Sequence, residues 1–125
     1  FKTPTPVYDF PSVQEVLDPI KDHICRTHVL KLNSGGYFPP HRDFTRDIFK
    51  TYRLIIPLRN IEPPCFNFVI EDKIQNFKKG VVYFVDTAKM HYLFNASQNP
   101  SYMIVVNVII NKETVEFVTN NFLYP

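Results

Sequence analysis

The chain has 125 residues and a mass of 14.7 kDa, which is the size of one ordinary domain and excludes a second full domain. Hydrophobic residues make up 45% and charged residues 21%, so a disordered chain or a coiled coil is excluded. The 14 basic and 12 acidic residues give a net charge of +2, which does not favour nucleic-acid binding. The apolar runs are shorter than a bilayer crossing, and Cys25 and Cys65 are the only cysteines. We therefore expect a cytoplasmic protein with reduced thiols and no membrane partner.

The N-terminal segment predicts an extended arm followed by short helices. Prolines at three positions fix extended backbone over residues 1–11. Ser12 and Glu15 have capping-box spacing, and Asp18-Pro19 gives a second helix start, so residues 12–24 are predicted to be helical. The apolar side chains of this segment recur at helical spacing and predict packing against the outside of a sheet: Val16, Leu17, Ile20 and Ile24.

The rest of the chain has a β pattern. Short runs rich in Val, Ile, Tyr and Phe alternate with clusters of Gly, Pro, Asn and Asp, and no helix-length segment separates them. A sandwich or barrel is therefore favoured over a parallel α/β sheet, with the barrel spanning residues 28–118 of a single domain. The predicted strands are 28–32, 52–58, 66–70, 81–85, 91–95, 102–110 and 115–118.

Three residues form a candidate metal-ligand set. In an extended segment, His41 and Asp43 point to the same face because side chains alternate along a strand. His91 lies far along the chain, after an apolar run and at the start of another predicted strand. Two histidines and one carboxylate on one face of an octahedron are the ligands of non-haem Fe(II) oxygenases. His-x-Asp alone is a weak signal, and a solvated loop pair is the alternative interpretation of His41 and Asp43. The alternative interpretation of His91 is a hydrogen-bonded structural histidine.

The surroundings of these residues add a resemblance to a known family. The relevant segments are 32–43, 52–58, 80–86 and 91–97, all within residues 29–108. Their order and spacing resemble the double-stranded β-helix oxygenases that depend on Fe(II) and 2-oxoglutarate. Within them, the chain is most similar to the aspartyl/asparaginyl β-hydroxylase and small-molecule proline hydroxylase group. The resemblance implies an all-β, jelly-roll or cupin-like barrel.

By this resemblance, His41, Asp43 and His91 would bind Fe(II), and Arg53 would help to hold 2-oxoglutarate. A guanidinium group suits this role because it binds a carboxylate through two parallel hydrogen bonds. The position of the family's second arginine, ten residues after the distal histidine, is Ser101 here. We therefore expect Ser101 and Tyr37 to donate hydrogen bonds to the co-substrate, unless it binds differently or not at all.

The implied function is hydroxylation of an amino acid, a peptide or another small metabolite, with dioxygen as a reactant. One alternative is a β-barrel binding module, with or without a metal, and another is a metal-dependent cupin-type enzyme that uses no 2-oxo acid.

His23 and His28 are expected to be structural. A rim of basic residues is expected around the mouth of the site, where it could be merely solvated or could steer an anion inward: Arg42, Arg46, Lys50 and Arg59. Because the chain begins at Phe1 and has little helix before the barrel, we expect a compact or trimmed enzyme.

Overall fold

The computed structural model of the protein describes residues 15, 17–43 and 51–121. A 3₁₀ helix, Asp18–His23, precedes the first strand, and an α-helix, α1 (Lys112–Asn121), follows the last. The strands between them are β1 (Ile24–Leu32), β2 (Tyr37–His41), β3 (Thr51–Arg59), β4 (Phe66–Ile70), β5 (Lys73–Ile74), β6 (Tyr83–Val85), β7 (His91–Asn95) and β8 (Ser101–Ile109).

The strands form two four-stranded sheets. The larger sheet has the order β1-β8-β3-β6 and the smaller sheet the order β2-β7-β4-β5. Every pairing in both sheets is antiparallel. Side chains from both sheets, such as Ile55 and Phe68, share one apolar core, so the sheets pack face to face. The predicted all-β, jelly-roll architecture is confirmed.

A second apolar core covers the outer face of the larger sheet. Leu17 and Ile20 from the N-terminal segment and Val118 of α1 pack there against the strands. The predicted packing of a short helix against the outside of a sheet is therefore confirmed. The helical segment ends at His23 instead of residue 24, because Ile24 already belongs to β1. Residues 12–14 and 16 of the predicted helical segment lie outside the described part of the chain. The predicted arm over residues 1–11 lies outside the described residues.

The predicted strand over residues 115–118 is wrong, because these residues belong to α1. Asn111 caps the helix, since its Oδ1 accepts a hydrogen bond of 2.9 Å from the Thr114 N–H. Thr114 and Val118 are buried while Val115 is exposed, as helical spacing requires. The β-branched residues that suggested a strand are accommodated in a capped helix whose buried stripe rests on the larger sheet.

The observed strands differ from the predicted ones in several places. β1 begins at Ile24 instead of residue 28, and β6 begins at Tyr83 instead of residue 81. β2 contains Pro39 and Pro40, which had indicated a break, and β5 was not predicted. Proline is tolerated in β2 because this strand lies at the edge of the smaller sheet. Among the described residues, no helix has the length and apolar character that crossing a membrane requires.

Candidate metal centre

Two histidines face each other across the β2–β7 pair. His41 and His91 are direct partners in the register of the two strands, and their ring centroids are 4.3 Å apart. The register shifts between Phe38 and His41. In a regular strand, residues three apart point to opposite faces. The irregularity therefore allows the side chains of Phe38 and His41 to line the same cavity.

Hydrogen bonds orient both imidazoles in the same way. His41 Nδ1 lies 2.7 Å from the Pro39 carbonyl oxygen, and His91 Nδ1 lies 2.8 Å from the Lys89 carbonyl oxygen. A carbonyl oxygen can only accept, so each Nδ1 carries the proton. In a neutral imidazole, Nε2 then keeps its lone pair. A histidine whose second nitrogen is bound in this way is ready to act as a metal ligand through Nε2.

Asp43 completes the cluster from just beyond the end of β2. Its backbone N–H donates a hydrogen bond of 2.9 Å to the Thr87 carbonyl, which fixes it beside the turn that precedes β7. Its Oδ1 lies 3.4 Å from His41 Nε2, and its Oδ2 lies 3.9 Å from His91 Nε2. One ligand atom from each of the three residues falls within 4.8 Å of the other two.

The donor set fits a divalent cation. Asp43 Oδ2 is buried and accepts no hydrogen bond, although Arg53 Nη1 forms an ion pair with it at 3.0 Å. A buried carboxylate oxygen without a hydrogen bond is costly unless another positive group completes its environment. Nitrogen and carboxylate ligands suit Fe(II) and similar transition metals. His41, Asp43 and His91 can therefore hold such an ion.

Arg53 is held in place by Asn107. The Arg53 Nε–H donates a hydrogen bond of 3.1 Å to Asn107 Oδ1, and Asn107 Nδ2 donates one of 2.9 Å to the Arg26 carbonyl. Arg53 and Asn107 are register partners on β3 and β8, so the contact follows from the sheet itself. Sequence reasoning did not identify Asn107 as a site residue. The available signal was a lone amide within the most apolar run of the chain.

The three candidate ligands and Arg53 line a cavity of about 280 Å³. The polar lining comes from His28, His41, Asp43, Arg53, Thr87 and His91. The apolar lining comes from both sheets and comprises Leu30, Phe38, Ile55, Phe68, Leu93, Met103 and Val105. A concave site with a few converging polar groups and an apolar wall is the usual form of a small-molecule site.

His28 lies in the cavity wall, where sequence reasoning had expected a structural side chain. Its Nδ1 is buried and has no hydrogen-bond partner. Burial lowers the pKa of His28, and the positive charges of Arg26 and Arg53 lower it further. His23, by contrast, contacts Glu113 at 2.9 Å between the two helical segments, as a structural residue would.

The structure does not bring Ser101 or Tyr37 to the cavity. Ser101 is buried at the opposite end of β8, and its hydroxyl donates to the Asn60 carbonyl. Tyr37 is exposed on the outer face of the smaller sheet, where its ring packs edge-on against Tyr92 and Phe94. Tyr37 faces away from the site because a strand alternates its side chains between two faces. Ser101 shares the face of Met103 and Val105 but is the first residue of β8 and lies outside the cavity lining.

Polar side chains shape the turn after β7, and the predicted basic rim is described only in part. Asn95 Oδ1 accepts hydrogen bonds from the Ser97 N–H and hydroxyl at 3.0 and 2.7 Å, so these two residues hold the turn together. Arg42 and Arg59 are exposed. The remaining two residues of the predicted rim, at positions 46 and 50, lie outside the described residues.

Comparison with known proteins shows the fold. No protein-family model and no curated protein sequence matches the chain. A predicted oxalate decarboxylase from Thermotoga maritima matches with a TM-score of 0.54 and 16% identity, over 75% of this chain and 74% of that one. A cupin domain from Bordetella pertussis Tohama I matches with a TM-score of 0.50 and 15% identity, over 68% and 80% of the two chains.

A salicylate 1,2-dioxygenase from Pseudaminobacter salicylatoxidans also matches, with a TM-score of 0.50 and 13% identity. The alignment covers 75% of this chain but only 23% of that enzyme. At these identities the likeness concerns the fold alone. The protein thus has a cupin-type β-sandwich, and the candidate metal centre lies between its two sheets.

Proposed function

We propose that the protein is a non-haem Fe(II)- and 2-oxoglutarate-dependent oxygenase that hydroxylates an amino acid, a peptide or another small metabolite. The observation that carries the proposal is the convergence of ligand atoms from His41, Asp43 and His91 within 4.8 Å. Such a set leaves three positions of an octahedral ion open, which is enough for a bidentate 2-oxo acid and dioxygen. The cavity beside the set provides room for small organic molecules.

The three ligand residues have distinct tasks. His41 and His91 present Nε2 lone pairs because backbone carbonyls hold their Nδ1–H groups. Asp43 supplies the negative charge and is held by the Thr87 carbonyl through its own N–H. When bound, Fe(II) supplies redox chemistry with dioxygen that no amino-acid side chain can perform.

Arg53 is the residue that can hold the co-substrate. Its guanidinium group is oriented by Asn107 and is paired with Asp43. When Asp43 shares its charge with a cation, Arg53 can bind a carboxylate through two parallel hydrogen bonds. The apolar part of the cavity lining would limit contact between water and the reacting groups, and with it side reactions. In the overall reaction, one atom of dioxygen enters the substrate and the other enters succinate, and 2-oxoglutarate loses carbon dioxide.

The metal centre is tested by binding, with calorimetry of Mn²⁺ as a redox-stable substitute and of Fe(II) under anaerobic conditions. We expect one ion per chain, and we expect His91→Ala to weaken binding at least about 100-fold, because a directly coordinating ligand is lost. His23→Ala is the matched control, since His23 contacts Glu113 far from the cluster. Equal Mn²⁺ affinity in wild type and His91→Ala would contradict the proposed metal centre.

The co-substrate is tested on the Fe(II)-loaded protein. Anaerobic addition of 2-oxoglutarate should produce a visible charge-transfer band, and succinate should be released in air when a suitable amino acid or peptide is present. Arg53→Met should weaken 2-oxoglutarate binding about tenfold or more while retaining the metal. Absence of the band in iron-loaded protein would rule out 2-oxoglutarate as the co-substrate without contradicting the proposed metal centre.

A second candidate is a metal-dependent cupin-type enzyme that uses no 2-oxo acid. It is favoured by the placement of Ser101, whose hydroxyl bonds to Asn60 instead of facing the cavity. Arg53 is then the one cation among the described residues that lines the cavity. Substrate conversion without succinate release would select this candidate. A binding module without turnover would convert no substrate, and its partner binding would survive replacement of His41 and Asp43.

A further inference from the structure

The Asp43 carboxylate lies close to Arg53 and to both candidate ligand histidines. Its Oδ2 forms an ion pair of 3.0 Å with Arg53 Nη1 and lies 3.9 Å from His91 Nε2. Its Oδ1 lies 3.4 Å from His41 Nε2. A carboxylate has a single negative charge, so it cannot fully neutralise a guanidinium group and a divalent ion at the same time. Arg53 and a metal ion therefore compete for Asp43.

The charges that line the cavity balance without a metal. Among the lining residues that the structure describes, Asp43 is the one acid and Arg53 the one side chain with a permanent positive charge. His28 adds no charge, because burial and the nearby arginines lower its pKa. Asp43 and Arg53 therefore cancel, and a divalent ion adds two positive charges that no other lining residue offsets. An anionic ligand can supply the missing negative charge.

Arg53 is held from one side and borders the cavity from the other. Its Nε–H donates a hydrogen bond of 3.1 Å to Asn107 Oδ1, whereas Nη1 is paired with Asp43. The side chain keeps 35% of its surface exposed and lines the cavity, so a ligand can contact it. With Nε fixed by Asn107, the Nη groups can exchange the Asp43 carboxylate for that of a ligand without a large movement of the side chain.

We propose that Asp43 occupies Arg53 in the metal-free protein, and that metal binding to Asp43 frees the guanidinium group to bind the carboxylate of an organic acid. The metal and the acid then increase each other's affinity by the same factor, because coupling between two binding sites is reciprocal. An organic acid is thereby disfavoured in a cavity that holds no metal. The proposal rests on the metal centre of the proposed function, but it does not depend on the acid being 2-oxoglutarate.

The first test measures succinate binding to metal-free protein, where coordination cannot contribute. Asp43→Asn removes the charge that occupies Arg53 and keeps the size of the side chain, so succinate affinity should rise about tenfold or more. The double variant Asp43→Asn/Arg53→Met should lose this gain. Asp86→Asn is the matched control, since Asp86 precedes the cavity residue Thr87 but bonds to the Ala88 N–H. It should stay within about threefold of wild type.

The second test measures Mn²⁺ affinity by calorimetry. If Arg53 competes for Asp43, Arg53→Met should bind Mn²⁺ about threefold more tightly, as loss of a partly exposed ion pair gives. A residue that only orients Asp43 has the opposite effect, because removal of such a partner typically weakens metal binding about 10–100-fold. Arg53→Lys keeps the positive charge and should not bind Mn²⁺ more tightly than wild type.

The proposal is overturned if Asp43→Asn leaves succinate affinity unchanged in metal-free protein, if its gain persists in the double variant, or if Arg53→Met weakens Mn²⁺ binding. The visible band of iron-loaded protein with 2-oxoglutarate is an independent measurement. If the band forms and Asp43→Asn has no effect, the proposed function stands and only the coupling fails. If Asp43→Asn gives the Arg53-dependent gain and no band forms, the coupling stands and the acid is not 2-oxoglutarate.

Discussion

The two faces of the larger sheet are built from the same strands and serve different purposes. On β3, Tyr52, Leu54 and Ile56 point to the outer core, whereas Arg53 and Ile55 point to the cavity. On β8, Val106 lies in the outer core between the cavity residue Val105 and the anchoring residue Asn107. Neighbouring residues of one strand therefore belong to the outer core and to the site. The strand period of two is what allows this division.

The outer face is covered by an apolar core. Its members come from the strands, the N-terminal segment and α1: Leu17, Ile20, Ile24, Tyr52, Leu54, Ile56, Ile104, Val106, Val108 and Val118. The polar contact that crosses it is the Tyr52 hydroxyl, which donates to the Thr114 carbonyl at 3.0 Å. The inner face instead gathers charged and hydrogen-bonding groups around open space. Substitutions on the outer face should therefore change stability, and those on the inner face should change ligand binding.

The largest expected effect is on the outer face. Leu54 is fully buried, so Leu54→Ala should lower the free energy of unfolding by about 2–5 kcal/mol. Chemical denaturation measures the change, and Val115→Ala on the exposed side of α1 is a control expected to cost less than about 0.5 kcal/mol. The Mn²⁺ affinity of the molecules that remain folded should not change. A large loss of metal affinity with unchanged stability would show that the two faces are not separate.

An intermediate effect is expected from Asn107, which belongs to the inner face. Asn107→Ala removes the acceptor for the Arg53 Nε–H and the donor to the Arg26 carbonyl. We expect a loss of about 1–3 kcal/mol in stability and a decrease of about tenfold in succinate affinity, because Arg53 loses its orientation. Calorimetry of the Mn²⁺-loaded protein measures the second effect.

The control for Asn107 is Asn67→Ala in β4, which removes a hydrogen bond to the Pro64 carbonyl and should not affect succinate binding. If both substitutions weaken succinate binding equally, Asn107 has no orienting role. If Asn107→Ala lowers stability alone, Arg53 keeps its position without the amide.

The smallest effect is expected at Tyr52. Tyr52→Phe removes the hydrogen bond to the Thr114 carbonyl and should cost about 1 kcal/mol at pH 7. Burial raises the pKa of Tyr52 from 10.0 to about 12. Between these values the unfolded chain loses the phenolic proton while the folded chain keeps it, so stability falls as the pH rises from 10 to 12.

That alkaline loss of stability should be reduced in Tyr52→Phe, which has no proton to lose at this position. Denaturation curves between pH 9 and pH 12 measure it, with wild type as the reference. An identical alkaline slope in both proteins would show that another group is responsible.

The outer face was largely predictable from local patterns, whereas the inner face was predictable only in part. Leu17 and Ile20 were expected on a sheet-facing helix because helical spacing is visible in sequence. α1 was misread because four of its ten residues are β-branched, and the Asn111 cap outweighs their strand preference. Propensity alone does not reveal which sheet face is available for a helix to cover.

By itself, the sequence determined the β-rich architecture and identified His41, Asp43 and His91 as a set, because residue types and spacing carry that information. The tertiary structure brought their ligand atoms together, through a register shift in β2 and the contact between Asp43 and Thr87. It also left Ser101 and Tyr37 outside the cavity lining, placed His28 in that lining and held Arg53 through Asn107. The physical reason is that each strand has two faces, and only the pairing of distant strands decides which face encloses the cavity.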